Sequence, residues 1–294
     1  MPLLALITLS FAALLAGLGV GVVLNRSALE RQIDAEVAEL FAEVETLPTY
    51  FVASELEGLP SPVRRYLERN LSEGQPHPSC VRVREIGSVC DAPGQPWTEV
   101  AGESYLVAGR PGLLSFARLR PYPLVWVDAR TLYLRGRVNV LAKLMSSLST
   151  VDSSEAVQRR AVLVAYLADL ALLPPALLPG DHLRWEAIDD VRARARVRDG
   201  ELEVSGVFVF DELGDLVAFE SDDRPAIGSP AQSKGEALWR VRFGEHRRFA
   251  DLHVPTLIEE EWVVGEAVLP ERRRSLQAIE VDVPRRWGSP GESS

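Results

Sequence analysis

The sequence predicts an α+β protein: a curved antiparallel sheet, a half-barrel-like meander, packed on a few helices and preceded by a transmembrane helix. Three observations carry that expectation. The 22 residues from Leu3 to Leu24 contain no charge, and as a helix they cover about 33 Å at about 1.5 Å per residue, enough for the hydrocarbon core of a bilayer. From Cys80 onward, apolar residues recur with a period of two in about ten short runs, separated by Gly, Pro and Asp. Among those runs one stretch, Asp152 to Leu173, keeps helical spacing instead, with Val157, Ala161, Val164, Ala165 and Ala168 on one face.

Composition bounds the function classes. The chain has 294 residues, a net charge of -10, 47% hydrophobic and 25% charged residues, which suits a folded chain with a sizeable core. The acidic balance argues against nucleic acid as a partner, which calls for a basic face. Two cysteines supply neither a disulfide framework nor a four-thiolate zinc site. Lysine occurs only at Lys143 and Lys234, so arginine is the default cation and most arginines read as solvated surface.

The organisation follows in order. Residues 1–26 read as a transmembrane anchor. The long apolar stretch without a preceding Lys or Arg differs from a cleaved signal peptide. Arg26 and Arg31 follow the span, a two-residue bias toward a cytoplasmic domain under the positive-inside rule. The expectation is nevertheless a single-pass membrane protein leaning to an extracytoplasmic soluble part. Residues 27–58 read as a juxtamembrane amphipathic helix and linker. Ser27 and Glu30 fit a capping box, Ile33, Val37, Leu40, Phe41, Val44 and Leu47 form the apolar face, and Pro48 stops the helix. That face either packs on its own domain or serves as a stalk or dimerising surface. Residues 59–284 form one α+β domain, and 285–294 a disordered tail.

Within the domain, Ser61 as N-cap and Pro62 at the first helical position open a second helix. Strand runs follow at Cys80 to Val89, Trp97 to Val107, Leu113 to Leu119, Leu124 to Val127 and Thr131 to Val140. Cys80 and Cys90 flank an extended strand of roughly 33 Å, too far apart for a disulfide, so both thiols should be free unless the strand folds back at Gly87. Pro174-Pro175 and Asp169 exclude a second membrane span at the helical stretch. Val191 to Arg198 alternates strictly, and Asp199-Gly200 suits a type I′ turn. That turn pairs Arg198 with Glu201 and Arg196 with Glu203, and sets Val197 opposite Leu202, Ala195 opposite Val204 and Val191 opposite Phe208. Further strands are expected at Val217 to Glu220, Ala237 to Phe243, Leu257 to Val264 and Leu276 to Val283.

Pro62-Val-Arg-Arg-Tyr-Leu67, Trp185 with Asp189, Phe210-Asp-x-x-Gly214, Asp223-Arg224, and Val254-Pro255 through Glu261-Trp262 come in an order that resembles an uncharacterised bacterial family, a domain of unknown function, over roughly Leu59 to Val283. That family tends to show Arg-Tyr-Leu-x-Glu where this chain has Ala165-Tyr-Leu-Ala-Asp169. The second half is also distantly similar to lipoprotein-carrier domains, whose half-barrels hold acyl chains. That resemblance implies a sheet-lined cavity for an apolar ligand.

The chain carries no nucleophile elbow, phosphate loop, dinucleotide fingerprint or His-Glu-x-x-His motif, and no cofactor or metal is expected. His246, His253 and Glu259 fit no strong metal spacing. Glu260 shares a strand face with Ile258 and Trp262, so it needs a partner, with Arg224 or Arg240 as candidates. The leading reading is a membrane-anchored, non-enzymatic protein with an apolar ligand, such as a lipid, held by Trp185, Ala195, Phe208, Trp262, Glu260 and Leu172. Small residues at Ala193, Ala195 and Gly206 would leave the space, and Leu170 to Leu178 would form a mobile lid. The alternatives are an envelope enzyme using Glu260, Asp223 or a histidine, and a scaffold acting through the Ile33 to Leu47 helix or a sheet edge.

Overall fold

The computed structural model describes residues 2–42, 44, 49–90, 92–233, 237–249 and 252–288. In chain order its elements are α1 (Pro2–Phe41), α2 (Ser61–Asn70), β1 (Cys80–Val89), β2 (Thr98–Val107), β3 (Gly112–Tyr122), β4 (Val125–Leu134), β5 (Arg137–Leu144), β6 (Leu148–Ser153), α3 (Ala156–Asp169), β7 (Leu183–Ala187), β8 (Arg192–Asp199), β9 (Leu202–Phe210), β10 (Leu216–Ser221), β11 (Leu238–Gly244), β12 (Arg247–Phe249), β13 (Leu252–Val254), β14 (Leu257–Val264) and β15 (Ala267–Val281). Thirteen strands form one open antiparallel sheet in the order β6-β5-β4-β3-β2-β1-β15-β14-β11-β10-β9-β8-β7, and β12 pairs with β13 in a separate hairpin.

The sheet curls strongly. β4 and β8 are nine strand positions apart in that order, roughly 43 Å along a flat sheet at about 4.8 Å per strand. Yet the Tyr133 hydroxyl on β4 donates to Asp199 Oδ2 at the end of β8 over 2.6 Å. Arg159 of α3 donates to the Asp199 carbonyl at the same corner, 3.0 Å. The edges β6 and β7 stay unpaired with each other, and α3 occupies the hollow between them. Its Val162, Leu163, Val164, Tyr166 and Leu167 join one core with Val81, Val83, Leu106 and Leu113 from the first half of the sheet and Ala195, Phe208, Phe219, Trp239 and Trp262 from the second.

The period of two gives the first half of the sheet a second apolar face. Cys80, Tyr105, Leu114, Phe116, Leu134 and Leu141 point outward and meet Leu29, Ile33, Val37, Leu40 and Phe41 of α1. Each full burial of such a side chain contributes about 1.5–3 kcal/mol. Ion pairs line the seam: Glu30 with Arg118 at 3.5 Å, Glu36 with Arg130 at 3.1 Å and Glu39 with Arg135 at 3.0 Å. The apolar face considered as a dimerising surface is therefore covered by its own sheet from Ile33 to Phe41. Leu47 and Pro48 lie outside the described residues.

Several expectations need correction. The span and the juxtamembrane helix are one uninterrupted helix. Ser27 does not cap; its hydroxyl donates to the Val23 carbonyl at 3.0 Å inside that helix. Ser61 is likewise no cap, because its hydroxyl accepts from Arg65 at 2.6 Å. The run Thr131 to Val140 is two strands, since Arg135 and Gly136 adopt positive φ of 50° and 70° and turn the chain back. β6 is built from Leu148-Ser-Thr-Val-Asp-Ser153, with too little apolar alternation to be recognised. β15 starts nine residues before Leu276, through Pro270 and three arginines. The β8–β9 hairpin has the expected faces in a register shifted by two. Asp199 faces Leu202, Arg198 faces Glu203, and Ala195 faces Gly206. Gly200 at φ +62° then leads the two-residue loop, as in a type II′ turn. Of the tail, Arg286 pairs with Glu30, Asp34 and Glu103, and Trp287 lies under Arg82 and Arg84; residues 289–294 lie outside the described residues.

Both cysteines are buried free thiols. Burial, with Asp282 nearby, pushes the Cys80 thiol up to about 12. We expect Cys80 to stay unlabelled in the native protein at pH 8, and two thiols to react after denaturation with or without prior reduction. A thiol gained only on reduction would contradict the free pair.

The space expected beside Ala195 is filled. A Cβ added at Gly206 would lie 2.1 Å from the Phe219 ring. Trp185, Phe208, Phe219 and Trp239 form a continuous aromatic row, with successive centroids at 5.2, 4.9 and 6.1 Å. Ala195→Trp should therefore overpack the interior and lower stability in urea unfolding by about 1–3 kcal/mol or more; unchanged stability would indicate room that this packing does not have.

Candidate functional site

Two cavities flank the packed core, at opposite ends of β1. The larger, about 440 Å³, lies beneath residues 170–178 and is lined by Leu170, Pro175, Ala176 and Leu178 together with Ala108, Tyr166, Leu183 and Val197. Its polar lining includes His77, Arg110, Asp181 and His182. Glu55 stands 3.2 Å from His77 Nε2. The segment above it is not a loose loop. Leu170–Leu172 and Pro174–Leu177 are two short 3-10 turns, because the proline pair removes the amides that a continued α-helix needs. Leu172, Leu173 and Leu177 point into the core, and the Trp185 indole donates to the Leu177 carbonyl at 2.8 Å. Ala176 and Leu178 are the partly open residues of the segment.

The smaller cavity, about 270 Å³, is walled by Cys90 and Pro93 after β1, Arg224 and Ile227–Ser229 after β10, Glu260 and Trp262 of β14, and Leu269–Arg272 of β15. The Arg224 guanidinium stacks 4.2 Å above the Trp239 ring and 5.3 Å from that of Trp262, and it pairs with Glu271 at 2.8 Å. Burial works against the Glu271 anion, but the charge and hydrogen bonding of Arg224, with the two indoles beside it, outweigh burial and hold the carboxyl below its ordinary range.

Behind this cavity sits a buried charge cluster. Arg274, 5% exposed at its side chain, reaches Asp169 at 2.6 Å, Glu260 at 3.1 Å and Glu85 at 3.5 Å. Arg272 meets Glu85 at 2.5 Å. Three carboxylates thus face two guanidiniums. Burial pushes the Glu260 carboxyl above its ordinary range, against the pull of Arg274, Arg272 and Arg224.

The six residues singled out in the sequence separate into three groups. Ala195, Phe208 and Leu172 lie within the core and line neither cavity. Trp185 pins the 170–178 segment. Glu260 and Trp262 line the smaller cavity. The partner of Glu260 is Arg274, not Arg224 or Arg240. Arg240 sits on the other face with Glu220 and Glu261, at 2.7 and 3.5 Å. The signal for Arg274 was the run Arg272-Arg273-Arg274, where alternation turns 272 and 274 inward. Asp223 accepts from the Ser205 amide and hydroxyl at 2.7 and 3.0 Å, outside both cavities. His246 and His253 stack at 5.4 Å, whereas Glu259 pairs with Arg242 and Arg273, each at 3.0 Å. Among the described residues no three His, Cys, Asp or Glu side chains converge on a metal position.

Three of the motifs that carry the resemblance converge on α2. Arg65 donates to the Asp190 carbonyl at 2.6 Å, next to Asp189, whose carboxylate caps the Val191 and Arg192 amides at 3.1 and 2.8 Å. Arg69 donates to the Leu213 carbonyl in the Phe210–Gly214 turn and pairs with Asp215 at 3.3 Å. Asn70 accepts from the His253 amide at 2.7 Å, beside Val254-Pro255.

The architecture is thus that of an open antiparallel half-barrel plugged by a helix and carried on a long N-terminal helix. Residues 49–270 match a family of unknown function, DUF6544, and the chain belongs to that family. No match is found among curated proteins. Solved structures similar to this chain include a DUF1329 family protein from Desulfovibrio piger (12% identical, TM-score 0.44, covering 80% of this chain and 95% of that one). Others are a LolA superfamily protein from Nitrosomonas europaea (11%, 0.39, 75% and 91%) and a beta-barrel-like DUF1849 protein from Brucella abortus (11%, 0.27, 70% and 98%).

Arg274→Met should lower stability by about 3–5 kcal/mol at neutral pH, because it strands buried carboxylates. A raised Glu260 pKa means that its contribution is complete below the unfolded value near 4.5 and is lost as pH rises through the folded value. Glu260→Gln should therefore lose less stability than the wild type as the pH is raised above about 4.5 in urea unfolding; parallel curves would exclude Glu260 as the titrating group.

Proposed function

We propose that this protein is a membrane-tethered binding protein whose ligand is an amphiphile, held beneath residues 170–178. The observation that carries this reading is the composition of the 440 Å³ cavity. Its walls are aliphatic at Leu170, Ala176, Leu178 and Val197, and its polar lining holds His77, Arg110 and His182 with Glu55 and Asp181. An alkyl chain would take the first set, and a polar headgroup the second. The tether is the N-terminal part of α1, where the described apolar side chains from Ile7 to Leu24 are outside any core. Its length and composition suit a bilayer. On this reading the ligand sits at one end of the half-barrel, since the interior along Ala195 and Phe208 is occupied by the protein's own side chains.

Native mass spectrometry of the full chain released from detergent tests the reading. The expected result is a bound species of lipid or fatty-acid mass, lost in Ala176→Trp while the circular dichroism spectrum is retained. Wild-type protein without such a species, and without uptake of a fluorescent fatty acid, would end the proposal.

A further inference from the structure

We infer that the β3–β4 hairpin tip, with the start of β6, is a second membrane contact that rests on the bilayer surface from which α1 emerges. The inference depends on the anchor reading of α1 and adds a surface to it. Tyr122 and Leu124 are 69% and 83% exposed, and Leu148 is 63% exposed. Burial on the described fold accounts for none of the three. They share one end of the sheet, because Tyr122 faces Val125, Val127 faces Leu144, and Leu144 faces Leu148.

The height of that end relative to the anchor can be read from the seam. Glu30 meets Arg118, whose strand partner is Asp128, and Glu39 meets Arg135. Nine helical residues, about 13 Å, thus run beside seven strand residues, about 23 Å. Each residue of β4 therefore advances about 2 Å along the axis of α1. Continued for four residues before Asp128, this brings Leu124 level with Asn25, where the apolar stretch ends. A separate contact agrees: Asn25 Nδ2 donates to Ser147 Oγ at 3.2 Å, in the turn just before Leu148.

The chemistry fits a bilayer interface. A Tyr and two leucines at the tips match the amphipathic and apolar groups favoured at headgroup depth. Arg120, two residues before Tyr122, Lys143, opposite Ser149, and Arg26, next to Asn25 on α1, suit anionic headgroups, although Glu99 stands opposite Arg120 and Asp128 opposite Lys143. A membrane-spanning helix that continues without a break into the domain presents these tips to the lipid at no added ordering cost.

Spin labels on the full chain, reconstituted in phosphatidylcholine–phosphatidylglycerol vesicles, read this out by oxygen against nickel-complex accessibility. Cys80 and Cys90 are buried, so Leu124→Cys, Leu14→Cys and Arg137→Cys each offer one reactive site. Arg137 lies at the opposite end of β5. The expected result is a shift of the Leu124 label toward oxygen relative to the Arg137 label. A Leu124 label as aqueous as the Arg137 label, with the Leu14 label in lipid, overturns the second contact and leaves the anchor standing. Aqueous labels at both Leu124 and Leu14 overturn the anchor reading and this inference together.

Discussion

The guanidinium of Arg274 is the fixed point of the structure. It joins β15 to β1 through Glu85, to β14 through Glu260, and to the end of α3 through Asp169. A curled sheet that does not close leaves its hollow to be filled, and α3 fills it. Apolar packing alone would let a helix of alanine, valine and leucine slide along such a surface. An ion pair buried at the helix end does not permit that, because any displacement leaves charge unpaired in a low-dielectric interior. Taking these charges out of water is the cost of this arrangement, and burial raises the affinity of Glu260 for a proton.

The elements were largely legible in the residues, and their connections less so. Period-two alternation identified β1, β2 and β8, and helical spacing identified the buried face from Ile33 to Phe41, while Leu29 one turn earlier joins it only in the structure. The β8–β9 faces were correct while the register was off by two, since alternation is unchanged by an even shift; only the turn geometry at Gly200 distinguishes the two. Arg135 shows a similar limit, because a positive φ at an ordinary residue leaves no compositional mark. The strand β15 was truncated because Pro270 and three arginines read as surface. The inward turn of Arg272 and Arg274 becomes visible only once Glu85, from a distant segment, is placed opposite.

The candidate site was the least legible part. Small residues at Ala195 and Gly206 suggested space, but whether a small residue leaves a hole depends on what leans over it, and here that is Phe219. Three of the motifs that carried the family resemblance, at Asp189, Phe210–Gly214 and Val254-Pro255, are tied to one another around α2 through Arg65, Arg69 and Asn70. They mark how three turns are held on one helix, which explains why they indicated the fold and not the ligand. The sequence pointed to the 170–178 segment, but the cavity beneath it also depends on residues 77–79 and 108–111, which adjoin β1 and β2 in the middle of the sheet order.

The unbroken course of α1 fixes a distance. A Cβ added at Gly112 would lie 3.0 Å from Leu40, so the β2–β3 turn that walls the larger cavity stands level with Leu40. Leu40 is sixteen residues beyond Leu24, about 24 Å along a helix. No hinge among the described residues of α1 allows the domain to bow toward the lipid. In the proposed topology the mouth is thus held above the headgroups like a cup on a rigid stem. The proposed amphiphile would then have to cross water to reach that cup, and could not slip in sideways from a membrane holding the stem.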